Sequence, residues 1–228
     1  MKTGYYISKS KKLEKSMKKY LRGLEKLLIQ KYGIEKAESV ITKSKSHYPE
    51  IVKMMPFFNT PMYDSLIVLN SKMMALKKGL KDEGVFVEEF VSLMIENFRN
   101  TSSKIPKVLR KIAGKIFLSK LVRIYLKKVA QDATTNDWPT ELITGKQNDD
   151  FTMKICTKDC QMVSFMRTIG EDDLIPYCSF ADFANAESLG YSIKQTSTID
   201  SGACTFCFNK KGKVHWSETL QKIQDNYR

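Results

Sequence analysis

Histidine is nearly missing from this chain. Only His47 and His215 occur in 228 residues, and with so wide a separation a histidine-rich metal centre is excluded by count. No uninterrupted apolar run approaches the roughly 18 residues that a membrane span needs. The opening residues hold no apolar h-region of a secretion signal. A glycine-rich phosphate loop, a nucleophile elbow, internal repeats and low-complexity tracts are absent as well, which removes the common nucleotide-binding, serine-hydrolase and solenoid classes. Five cysteines without an export signal read as reduced thiols, not as a disulfide framework. The expectation is a soluble, cytoplasmic protein with no membrane partner.

What is present is enough apolar matter for a core, 42% of residues, and a lopsided charge. Residues 1–132 hold 28 Lys and Arg against 12 Asp and Glu, whereas residues 133–228 hold 10 against 13. The basicity belongs to the first half alone, so a basic electrostatic surface is separate from the cysteines. Lysine dominates the cations, aromatics are not interleaved with them, and no finger or recognition-helix pattern appears. These features argue against a nucleic-acid partner.

The first half reads as helices. Leu13, Met17, Tyr20, Leu24 and Leu27 recur at steps of four and three, which predicts one amphipathic helix over 9–32 closed by Gly33. Its lysines read as a solvated face, with a nucleic-acid or anionic-membrane surface as the sharper alternative. A weaker helical segment follows from Ile34 to Ile51, and Pro49, Pro56 and Pro61 are expected to break the chain around a loop holding Phe57, Phe58 and Asn59. That loop is either a turn with core anchors or one wall of a pocket. Asp64 or Ser65 is expected to cap the next helix, with Leu66, Leu69, Met73, Leu76 and Leu80 as its buried stripe. After a helix from Val87, a single long helix is expected from Ile105 to Gln131, with Leu109, Ile112, Ile116, Val122 and Tyr125 facing inward. Residues 132–150 are polar and turn-rich, and form the best boundary.

All five cysteines fall between Phe151 and Phe208. Phe151, Met153 and Ile155 alternate like a half-buried strand, Cys160 to Ile169 has helical spacing ended by Gly170, and Tyr191–Ile199 with Ala203–Phe208 reads as a hairpin. The chain is therefore expected to be α+β, with a helical N-terminal part packed on a small, mainly antiparallel sheet formed by the C-terminal part. Cys204 and Cys207 have a zinc-knuckle spacing, and Cys156 with Cys160 could complete a site of four thiolates. Regular strand alternation, however, turns Cys204 and Cys207 to opposite faces. No metal ligand set and no cofactor is assigned, and Cys156 and Cys207 read as packing residues. Cys178 differs, because Phe180, Phe183 and Ala186 suggest a helix that sets Asp182 one turn beyond it. A carboxylate alone raises a thiol pKa, so activating Cys178 would need a cation such as Arg167 or Lys194.

Four features resemble the L-2-amino-thiazoline-4-carboxylic acid hydrolase family. These are Cys160 opening a helix that ends at Gly170, the run Cys178-Ser-Phe-Ala-Asp182-Phe, the run Thr196 to Gly202, and Cys204-Thr-Phe206-Cys-Phe208. In the helical part the likeness lies in Pro56, Asn59 and the run Leu80 to Glu89. Phe57 and Phe58 stand where the family pattern has glycines, and the Cys-to-Asp spacing is one residue longer. The chain is expected to divide into a basic amphipathic helical segment over 1–54, which the resemblance does not cover, and a hydrolase-like α+β domain over 55–228, with a helical half at 55–131 and a cysteine-bearing half at 150–228. The resemblance implies a small-molecule substrate and ring-opening hydrolysis of a cyclic amidine or thiazoline. Cys178 would be nucleophile or polar contact, and Asp182 the amidinium partner and possible base. Cys160, Cys204 and Asn59 would line the site, and Arg167 or Lys194 would meet a substrate carboxylate. The alternative is a non-catalytic small-molecule binding or sensing domain with the same pocket.

Overall fold

The computed structural model describes residues 4–133, 137–146 and 149–227. In chain order its elements are helices α1 (Ser10–Tyr32), α2 (Ile34–Met54), α3 (Pro61–Lys81), α4 (Val87–Ser103), α5 (Lys107–Phe117) and α6 (Lys120–Ala133), then strands β1 (Thr140–Thr144) and β2 (Met153–Thr157). There follow α7 (Gln161–Thr168), α8 (Phe180–Leu189), β3 (Ser192–Ser197), β4 (Cys204–Asn209) and α9 (Glu218–Asn226). The fold is α+β, with the strands confined to the C-terminal part. The residues group into two compact units, Met1–Phe90 with Met162–Ile175, and Val91–Gln161 with Pro176–Arg228.

In the first unit α1, α2 and α3 pack on one another. Leu13, Met17, Leu21, Leu24 and Leu28 form the buried stripe of α1. Gly33, at φ +81°, supplies the backbone conformation that ends it. The lysines of its other side are exposed. Pro49 does not break the chain: α2 runs through it to Met54. The hydrogen bond that its missing N–H forfeits is offset by burial of Tyr48, Ile51 and Val52 on the same helix. Pro61 sits in the first turn of α3, where a missing N–H costs nothing. Asp64 does not cap this helix, since α3 has begun before it. Its carboxylate accepts the Tyr6 hydroxyl hydrogen bond at 2.5 Å. The buried side of α3 is also broader than the expected stripe: Ile67, Ser71, Met74 and Ala75 are buried, while Leu66 and Leu69 are exposed.

Gly79 marks a close approach of α2 and α3, where an added Cβ would stand 2.7 Å from the Val40 carbonyl oxygen. Backbone cannot yield as a side chain does, so Gly79→Ala is expected to lower stability by about 1–3 kcal/mol. Thermal unfolding checks it, and a variant as stable as wild type would mean that the two helices separate freely.

An ion cluster ties Met162–Ile175 to α3. The Lys77 ammonium is buried against the Glu171 carboxylate and reaches Asp173 at 2.5 Å, and Lys78 pairs with Glu171 at 2.9 Å. Lys78 also donates to the Ile169 carbonyl oxygen at 2.9 Å.

In the second unit the four strands are ordered β1-β2-β4-β3, and every neighbouring pair is antiparallel. Leu142, Ile155 and Phe206 lie opposite one another in register, as do Met153, Phe208 and Ile193. This makes one apolar face, with Met153 and Ile193 fully buried. Strand β1 falls within the stretch expected to be only turns. Its inward alternation rests on Leu142 alone, flanked by Thr140 and Thr144, too weak a pattern to stand out.

The single helix expected from Ile105 to Gln131 is two, α5 and α6. The Ser119 hydroxyl accepts the Val122 N–H at 3.4 Å, a capping contact that starts the second helix. The expected inner face is also corrected, because Leu109, Ile112, Ile116 and Tyr125 are exposed. Gly114 turns inward instead, where an added Cβ would collide with the Leu189 carbonyl oxygen, and Phe117 stacks on Tyr191 with ring centroids 5.3 Å apart. A helix that approaches through a glycine and one aromatic ring leaves its aliphatic side outside.

Candidate thiol and carboxylate site

The second unit brings Cys160, Cys178, Asp182 and Cys204 into electrostatic reach of one another. Cys204 opens β4 on the apolar face of the sheet, sharing it with Phe206 and Phe208. Asp182 occupies the first turn of α8, where the helix dipole favours negative charge. Cys178 stands two residues before that helix, in the turn that leads into it. Phe183 holds α8 against the sheet through Phe206 at 6.2 Å and Trp216 at 5.3 Å between ring centroids.

Burial pushes the Cys178 thiol well above its ordinary value, and Cys160, Cys204 and Asp182 push it further, while its own backbone offsets them in part. This is the direction opposite to that of an activated thiolate. Cys204 is pushed up to about 11, again by burial first, with a hydrogen bond from Gln195 working against it. The Asp182 carboxyl is pushed up to about 6 by burial, although the residue as a whole is solvent-exposed. That exposure moderates the upward shift. Tyr191 is raised chiefly by burial and then by Asp182, so its neutral hydroxyl belongs to the same surroundings.

Gln195 is the residue the sequence did not flag. Its Nε2 donates to Cys204 Sγ at 3.4 Å, and its Oε1 accepts the Ser179 hydroxyl at 3.3 Å. It therefore links the strand that carries Cys204 to the turn between Cys178 and Asp182. The readable signal was a polar residue at an inward position of β3, two beyond buried Ile193.

Lys194, Arg167 and Asn59 complete the expected set. Lys194 is exposed and pairs in register with Cys207, on the opposite face of the sheet from Cys204 and Gln195. Alternation in β3 thus removes Lys194 from the thiols. Arg167 belongs to the first unit, where its side chain is exposed and 4.0 Å from Asp172. Asn59 is exposed in the first unit's loop between α2 and α3, beside Phe58, which is buried, and Phe57, which packs edge-on against Tyr5. Cys156 accepts a hydrogen bond from Thr205 at 3.6 Å and shares the Cys207 side of the sheet. Cys204 and Cys207 accordingly diverge as alternation requires. Among the described residues no three His, Cys, Asp or Glu side chains converge as a metal ligand set.

Two concavities lie away from these groups, one of about 450 Å³ between α6 and β1 and one of about 280 Å³ between α4 and α9. Neither is lined by Cys178 or Asp182, so the site is located by its chemistry and not by the volume of these hollows. Compared with models of known families, with curated proteins and with solved structures, the chain finds no match. The family likeness stands on the quoted residues alone.

The neutral state of the thiols is measurable. Each pK unit of elevation removes about nine-tenths of the thiolate at neutral pH, so Cys178 is expected to be alkylated by iodoacetamide at least about tenfold more slowly than a cysteine peptide. Site-resolved mass spectrometry of the folded protein reads this. Labelling of Cys178 as fast as the peptide would show a thiolate.

Proposed function

We propose that the protein is a hydrolase that opens a small cyclic amidine of the thiazoline type, with Asp182 as general base and Cys178 as an uncharged contact to the reacting carbon. The observation that carries this reading is the placement of the Asp182 carboxyl in the first turn of α8, within electrostatic reach of the Cys178 and Cys204 thiols and with its pKa pushed up from the ordinary carboxylate value. At neutral pH such a group is mostly ionised yet a far better base than an ordinary aspartate. In the reaction Asp182 takes a proton from water as the water oxygen bonds to the carbon between ring nitrogen and sulfur. As the carbonyl forms, the new hydroxyl passes its remaining proton to the ring nitrogen, the carbon–sulfur bond breaks with its electron pair on sulfur, and the sulfur recovers the first proton from Asp182. The product is an N-carbamoyl amino thiol, the substrate plus one water. Gln195 and Ser179 hold Cys204 and the turn bearing Cys178 in place.

The raised Cys178 thiol also favours a second reading, a site that binds such a molecule without turning it over. Incubation of the protein with 2-amino-thiazoline-4-carboxylate separates the two. Product formation that Asp182→Ala abolishes and Cys178→Ala only reduces supports the hydrolase. Thermal stabilisation by the compound with no product supports binding alone, and wild-type turnover in both variants refutes the assignment.

A further inference from the structure

The α5–α6 pair carries a surface that the chemistry above does not use. Val108, Leu109, Ile112 and Ile116 lie on one arc of α5 and are all exposed, Val108 by 68%, and Leu121 at the start of α6 is 80% exposed. The protein-facing arc is the opposite one, held by Gly114 and Phe117. Lys107, Lys111 and Lys115 recur every four residues along one border of the apolar arc. Between Lys104 and Gln131 the chain holds nine Lys and Arg and no Asp or Glu. Arg123 turns inward to donate to the Thr152 carbonyl oxygen at 3.1 Å, which leaves the lysines as the outward cations. None of the lysines from Lys104 to Lys128 makes an ion pair among the described residues.

An exposed aliphatic arc edged by flexible lysines, with no carboxylate, has the chemistry of a helix that lies in the plane of a bilayer, its apolar side at the acyl boundary and its lysines at the headgroups. The absence of acid selects an anionic surface, which attracts each lysine held near it. Nucleic acid would not call for an aliphatic arc, since its bases stack on aromatic rings. Among the described residues no helix is long and apolar enough to cross a membrane, and docking from one side departs from the expectation of no membrane partner. We infer that the α5–α6 face docks on an anionic lipid bilayer from one side.

Co-sedimentation of the full chain with vesicles tests this, using phosphatidylcholine containing about 30% phosphatidylserine against phosphatidylcholine alone. Binding to the anionic vesicles is expected to be at least about tenfold tighter and to weaken with salt. The exposed pair Ile112→Asp with Ile116→Asp is expected to weaken it about tenfold or more, with an unchanged circular dichroism spectrum, and Lys111→Gln with Lys115→Gln to weaken it while leaving the apolar arc intact. The inference is overturned by no sedimentation at low salt, or by sedimentation that the isoleucine pair does not alter. It is also overturned if, without vesicle binding, those substitutions abolish a dimer of this chain, or if RNA binds and vesicles do not.

Discussion

Replacing Glu171 with leucine is expected to cost about 3–5 kcal/mol of unfolding free energy, because it leaves the Lys77 ammonium buried without its main counter-charge. Both side chains are almost wholly out of water, 3% exposed for Lys77 and 1% for Glu171. Asp173 remains near Lys77 but is itself 45% exposed, too well solvated to replace a buried partner. Lys78 then also loses its 2.9 Å contact with Glu171. The double variant Lys77→Met with Glu171→Leu is expected to recover most of the loss, since two apolar chains of similar volume remove both desolvation penalties. Urea unfolding of the single and double variants reads the coupling. A loss below about 1 kcal/mol in the single variant would mean that water reaches Lys77.

The second large effect is on chemistry. Asp182→Asn is expected to reduce turnover of a cyclic amidine by about 10²- to 10⁴-fold, the usual contribution of a positioned base, with little change in fold because the amide keeps the shape of the carboxyl. The pH dependence has a definite sign. The base works when deprotonated, so the wild-type rate is expected to rise through about pH 6 and level off above it. Stability runs the other way: a carboxyl raised above its unfolded value holds its proton more tightly in the native state. Its contribution to stability therefore falls as pH rises through the window from about 4 to about 6. Asp182→Asn is expected to remove that part of the slope.

How much of this was readable in the sequence follows the range of each interaction. The heptad-like stripe of α1, the stop at Gly33, the β3–β4 hairpin and the divergence of Cys204 from Cys207 are all local patterns, and the structure has them. The α5–α6 face shows where periodicity fails. A regular aliphatic stripe indicates that one side of a helix differs from the other, not which side meets the protein, and here Gly114 and Phe117 decided it. Lys77 and Glu171 were invisible because the pair spans 94 residues, and a lysine in a helix rich in lysine carries no sign of burial. At the site, Cys160, Cys178, Asp182 and Cys204 were named from order along the chain and come together in one unit. Lys194 was not brought to them, since a single step of strand register sends it to the other face. Gln195, its neighbour, points to the thiols for the same reason.

The central claim is that an aspartate raised toward neutrality, and not a thiolate, starts the reaction. The pH–rate profile for conversion of 2-amino-thiazoline-4-carboxylate to its N-carbamoyl product, followed by mass spectrometry from about pH 4 to about pH 10, separates the two by where the rate rises. A rise centred near 6 that survives Cys178→Ala and vanishes in Asp182→Asn is the predicted result. A rise in the thiol range near about 8.5 that Cys178→Ala abolishes, or no product at any pH, would contradict it.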